Sequence, residues 1–152
     1  MDVFVPSDCI EVRRDTTKGR GARGVYARRP IEVGEMIERA PVLLIPKNHL
    51  FGDASYAQSA ARISWYVFAW HVETKREYVA LALGCGSIYN HSFTPNALYR
   101  CVAPDAIEYI AIAPIAAGDE IFINYNGDPG DLKDVGFPLA DRSHAGTPLA
   151  DE

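Results

Sequence analysis

Cysteine is scarce in this chain. Cys9, Cys85 and Cys101 stand far apart among 152 residues, with no Cys-x-x-Cys pair. That spacing indicates neither a zinc site nor a disulfide framework, and such thiols fit a reducing compartment. Long apolar stretches are missing too. No run of 18 apolar residues occurs, so nothing reads as a membrane span. The opening "MDVFVPSDCIEVRR" carries an acidic residue at once and no apolar core, so no secretory leader is expected. The expected location is the cytoplasm, or the nucleus in a eukaryote. Basic charge is also short: the formal net charge is −5, which argues against direct binding to nucleic acid. Basic residues do cluster from Arg13 to Arg29, "RRDTTKGRGARGVYARR", a stretch that reads equally as a solvated loop.

What is present describes a small globular protein. Hydrophobic residues make up 48% and charged residues 23%, which places the chain with ordinary globular domains rather than disordered ones. A chain of this length buries about two thirds of its unfolded surface, enough for one self-sufficient core. Short strand patterns alternate with Gly and Pro. Strands are expected near Gly24 to Ala27, near Glu35 to Arg39, in "ALYRCV" and in "IEYIAIAPIAAGDEIFINY". A hairpin is expected with arms Trp65 to His71 and Tyr78 to Leu83 around the polar turn "ETKR". Asp53 to Arg62 is a candidate short helix with irregular apolar spacing. Residues 1–125 form the expected domain with a short lead-in; from Asn126 the composition turns Gly- and Pro-rich, so 126–152 reads as an irregular tail.

An internal echo supports a mainly β fold of several small curved sheets. "PIEVGEMI", Pro30 to Ile37, resembles "PIAAGDEI", Pro114 to Ile121. Pro sets φ where each turn begins, and Gly supplies the positive φ where it ends.

The segment "YNHSFTPNALY", Tyr89 to Tyr99, crowds Asn, His, Ser, Thr and Pro between two tyrosines. Those are turn residues, so a plain connection is one reading. Asn90-His91-Ser92 also fits a glycosylation acceptor, which a chain without a leader does not use. An active site is the third.

Three pieces in fixed order, "GARGVYARRPIEVGE", "NHSFTPN" and "PIAAGDEIFINY", make the chain resemble the SET-domain family of protein-lysine methyltransferases, over roughly Val12 to Tyr125. The resemblance implies a SET fold with a C-terminal pseudoknot, S-adenosylmethionine as cofactor and a protein or peptide lysine as substrate. It assigns cofactor binding to Ala22, Arg23, Gly24, Asn90, His91 and Tyr125, and the catalytic position to Tyr125 alone. Asn90 would hold the methionine end of the cofactor. His91 would offer its backbone to the adenine, with its ring held structurally. Asp119 and Glu120 match an acidic pair that reads best as turn-facing or salt-bridged.

The transfer needs a neutral lysine, in-line geometry and oxygens around the methyl group. Aromatic walls serve the first, by desolvating the ammonium beside a sulfonium charge. The supply is ample, with 8 tyrosines, 6 phenylalanines and 2 tryptophans, though most are expected in the core.

Two departures stand out. Ala22 occupies the first position of the family's Gly-x-Gly pair, and another Gly-Arg-Gly lies at Gly19 to Gly21. No cysteine follows Cys101, so no zinc-binding segment closes the site and no metal is expected. Phe137 is then the aromatic candidate for closure from the tail. A second reading stays open on the altered glycine pair: a SET-like binding module that keeps cofactor or peptide and has lost transfer. A second copy of the chain is the other partner left open; no membrane is expected.

Overall fold

The computed structural model describes residues 4–14, 23–51 and 63–135. The candidate helix at Asp53 to Arg62, the Gly19 to Gly21 alternative, Ala22 and Phe137 lie outside these residues.

Among the described residues, nine strands form two sheets. They are β1 (Ile10–Arg14), β2 (Arg23–Ala27), β3 (Met36–Pro46), β4 (Val67–Ala69), β5 (Tyr78–Ala82), β6 (Asn90–His91), β7 (Ala97–Val102), β8 (Ala106–Ala111) and β9 (Glu120–Ile123). One sheet runs β1-β2-β9-β6 and the other β4-β5-β3-β8-β7. The mainly β class and the small sheets read from the sequence are therefore present. No helix among the described residues is long and apolar enough to cross a membrane.

The two echoing turns meet each other. Ile31 and Ile115 form an isolated antiparallel bridge, with N···O distances of 2.9 and 3.0 Å. Both side chains are buried. Gly34 and Gly118 hold φ of 84° and 91°, the left-handed conformation expected of them. Gly34 N–H then donates to Ala111 at the end of β8, and Gly118 N–H to Ala27 at the end of β2. Each turn thus ties down the end of a distant strand.

Two strand expectations need correction. β3 runs on to Pro46 rather than stopping near Arg39. Pro41 lies within it, although a proline cannot donate to a ladder. The strand changes partner there: Met36 to Pro41 pair with β8, and Val42 to Pro46 pair with β5. The hairpin arm is also shorter than Trp65 to His71. A 3₁₀ turn takes Ser64–Tyr66, and only Val67–Ala69 pair with β5. Trp70 is drawn into the core at 1% exposure, while Trp65 and Tyr66 stay about half exposed. Burying one indole ends the ladder, and the 3₁₀ turn presents two aromatic rings outward.

The core contains Val25, Ile31, Ile37, Tyr89, Ile107, Tyr109, Ile121 and Ile123. Tyr89 and Tyr109 stack at 4.4 Å. Glu108, almost fully buried on β8, is held by Arg39 at 3.0 Å and Arg100 at 2.7 Å. Such a carboxylate is tolerable only because it is paired.

Candidate active site

Asn90 and His91 form β6, which pairs in parallel with Phe122 and Ile123 of β9. Parallel neighbours cannot be joined by a tight turn, so this contact depends on the whole intervening chain. Asn96 extends the junction with its side chain. Its amide donates to Glu120 O at 2.9 Å and accepts from Phe122 N–H at 2.8 Å, as a strand partner would. Ser92 Oγ caps Thr94 N–H at 3.0 Å. The polar residues of "NHSFTPN" are thus structural partners in a tight crossing, and Asn96 is a contributor that the sequence reading passed over.

Asn90 stands at the open side of this junction. Its Nδ2 donates to Arg23 O at 2.8 Å and to Glu120 Oε1 at 2.7 Å. Glu120 Oε2 accepts from Tyr26 O–H at 3.1 Å. A Cβ on residue 24 would collide with Glu120 Oε1, so Gly24 makes room for the carboxylate. The fold therefore brings Arg23, Gly24 and Asn90 together, with Glu120 at their centre. Of the acidic pair, Asp119 faces its turn, with Oδ2 accepting from Ala116 N–H at 3.3 Å, while the Glu120 carboxylate sits at this junction.

His91 is 4% exposed, and its Nδ1 accepts from Tyr125 N–H at 3.1 Å. In the neutral ring the proton then sits on Nε2, which has no partner among the described residues. Phe93 and Tyr125 pack on the ring at 4.4 and 5.2 Å. Burial lowers the pKa, so the imidazole is neutral near pH 7. The ring is a backbone acceptor, in keeping with the structural role expected for it.

This has a consequence for stability. The folded pKa of His91 lies below the unfolded value of about 6.5. Its contribution is complete above that value and is lost as pH falls through the folded pKa. The melting temperature is expected to drop as pH falls below about 6.5, and less steeply in His91→Gln, which keeps an acceptor but does not titrate. Equal slopes in the two proteins would refute the assignment.

Tyr125 joins the junction to a cavity. Its backbone is pinned by His91, while its hydroxyl donates to Tyr89 O at 2.7 Å. Burial, with Tyr66 and Glu120 nearby, raises its pKa well above the ordinary phenol value, so the hydroxyl stays neutral. The side chain lines a cavity of about 460 Å³ together with Trp65, Tyr66, Phe68, Tyr89 and Tyr99. Tyr89 is anchored in turn: its O–H donates at 3.0 Å to Glu38, which burial makes harder to ionise. The exposed rings of the 3₁₀ turn thus line this hollow rather than the core.

The first residues of the tail belong to the site's framework. Buried Asn124 donates to Asp131 O at 2.6 Å and accepts from Asn126 N–H at 3.0 Å. Asn126 donates to Lys133 O at 2.7 Å, and Tyr99 O–H donates to Tyr125 O at 3.2 Å. Val135 reaches the cavity wall. Among the described residues no group of three or more His, Cys, Asp or Glu could hold a metal ion.

Comparison with known proteins agrees with this geometry. The SET domain family model matches residues 22–126. A histone-lysine N-methyltransferase, H3 lysine-37 specific, from Schizosaccharomyces pombe is 32% identical over 126 residues, covering 82% of this chain and 78% of that protein. Among solved structures, the Neurospora SET domain protein DIM-5, a histone lysine methyltransferase, aligns with a TM-score of 0.60 at 19% identity, over 78% of this chain and 53% of that one. CpSET8 from Cryptosporidium aligns with a TM-score of 0.59 at 20% identity, over 81% and 59% of the two chains. At these identities the structural likeness speaks for the fold alone.

Proposed function

The chain belongs to the SET-domain family and is a protein-lysine methyltransferase; we propose that its methyl donor is S-adenosylmethionine and that Tyr125 is its catalytic residue. The observation that carries the site assignment is the double attachment of Tyr125. Its backbone is held by His91 beside Asn90, and its ring lines the aromatic cavity. One residue therefore borders both the polar junction and the hollow.

The junction suits the amino-acid end of the cofactor. Arg23, Gly24 and Asn90, with Ala22 preceding them in sequence, would hold it, and the His91 backbone would meet the adenine. Both N–H groups of Asn90 are engaged, which leaves its carbonyl oxygen for a ligand donor. The bound cofactor supplies an electrophilic methyl group on a good leaving group. The protein's tasks are then desolvation, alignment and placement of oxygen atoms.

The aromatic cavity suits the lysine. Its rings exclude water and disfavour the ammonium form, while ring faces tolerate residual positive charge. Orientation of this kind supplies roughly 7–11 kcal/mol in favourable cases. The Tyr125 hydroxyl donates to Tyr89 O, so its oxygen is presented as an acceptor toward the amine and the methyl hydrogens. It acts without ionising. The histone named for the fission yeast relative is one candidate substrate class, since this chain shares the lysine chemistry.

The direct test incubates the protein with labelled S-adenosylmethionine and lysine peptides and follows transfer by mass spectrometry. Label on the lysine side chain is expected, at a rate that rises with pH as the amine deprotonates and shows no fall from Tyr125 below about pH 10. Cofactor binding without any transfer would return the binding-module reading.

A further inference from the structure

Glu120 was read from sequence as turn-facing or salt-bridged, and three separate features of the fold converge on it. Asn90 of β6 donates to its Oε1 at 2.7 Å. Tyr26 of β2 donates to its Oε2 at 3.1 Å. Gly24 leaves the space that its carboxylate fills. β9 lies between β2 and β6, so Glu120 is placed to reach both neighbours.

A side-chain amide has two faces of opposite character: NH₂ only donates, and C=O only accepts. Which face a ligand meets depends on what fixes the other. Asn90 has two acceptors before it, Arg23 O and Glu120 Oε1, and both amide protons go to them. Rotating the amide by half a turn would set its oxygen against two other oxygens.

We propose that Glu120 is a positioning residue: it turns Asn90 so that only Oδ1 faces the cofactor, and thereby makes Asn90 a receptor for the cofactor's α-ammonium rather than its carboxylate. The idea rests on the cofactor assignment above and adds to it a chemical selectivity. An acceptor oxygen takes an N–H from an ammonium and repels a carboxylate. Glu120 touches neither the cofactor nor the reacting atoms in this role; it works through Asn90. Gly24 serves the same end, because an alanine there would push the carboxylate off Asn90.

The test compares two ligands by calorimetry: S-adenosylhomocysteine and its analogue in which hydrogen replaces the α-amine. In Glu120→Ala the affinity for S-adenosylhomocysteine is expected to fall about tenfold, with the deaminated analogue changed less than twofold. Glu120→Gln is expected to restore most of the loss. Its single carbonyl oxygen can still accept from Asn90, while the Tyr26 hydroxyl reverses to accept from the new NH₂. Glu120→Asp keeps the charge but shortens the side chain by one methylene, drawing the carboxylate back from Asn90, and should reproduce the amine-selective loss. These two variants give the reading if the alanine protein does not fold.

A Glu120→Ala protein that weakens both ligands equally would overturn the positioning role, since a merely structural defect does not distinguish an amine. A Glu120→Gln protein no better than the alanine variant would also overturn it, in favour of the negative charge itself. A wild-type protein that binds neither ligand would overturn the cofactor assignment, and this role with it.

Discussion

Tyr125→Phe is expected to lower kcat by about 10²–10³-fold while leaving the affinity for S-adenosylhomocysteine within about twofold of wild type. The reasoning separates the two halves of the residue. Its backbone N–H binds His91 Nδ1, and its ring packs 5.2 Å from the imidazole; phenylalanine keeps both. Only the hydroxyl is lost, and with it the bond to Tyr89 O and the oxygen offered to the amine and methyl group. An interaction made mainly in the transition state should appear in kcat rather than KM. The buried Tyr89 carbonyl loses a donor, so a modest fall in melting temperature is expected alongside. Single-turnover transfer to a lysine peptide and calorimetry of cofactor binding read the two effects separately. Near-normal turnover in a folded variant would remove Tyr125 from the chemistry.

Cutting the chain after Asp128 is expected to be nearly as damaging, for reasons in the described structure. The cut removes Asp131 O and Lys133 O, which accept from Asn124 and Asn126 on either side of Tyr125. Asn124 is 1% exposed, so its amide would be left buried without that acceptor. Orphaning a buried polar group costs about 1–3 kcal/mol. For a chain of this size that is a melting temperature lower by about 2–12 °C. Misplacing Tyr125 is the larger functional effect; a shift of about 1 Å can cost a hundredfold in rate. A cut after Val135 keeps every one of these bonds and should retain most stability. It isolates the contribution of Phe137, the residue proposed from sequence to close the site. Equal activity in the two truncated proteins and the full chain would exclude a role for residues 129–152. A change in solution mass would instead assign the tail to contact between copies.

The motifs were legible because their chemistry is local. Pro and Gly at fixed spacing announce their turns, and Gly34 and Gly118 adopt the positive φ that this spacing demands. β7 coincides with "ALYRCV", and β5 lies within its expected bounds. The polar crowding of "NHSFTPN" also signalled a tight, unusual segment. Strand ends were less legible. Pro41 forbids a ladder bond, but no local pattern says that a strand will change partners at that residue.

By itself, then, the sequence determined the β class, the two matched turns and the family, together with most of the residues now proposed for the site. Only the tertiary structure decided how they act on one another. Ile31 meets Ile115, Asn90 meets Glu120 and Arg23, and Tyr125 meets Tyr89 and His91, across separations of 30 to 84 residues. Hydrogen bonds at such separations leave no periodicity in the chain. Glu120 is the clearest case. In sequence it is half of an acidic pair at a turn, but the strand order β2-β9-β6 places its carboxylate against Asn90 and Tyr26, over the gap left by Gly24.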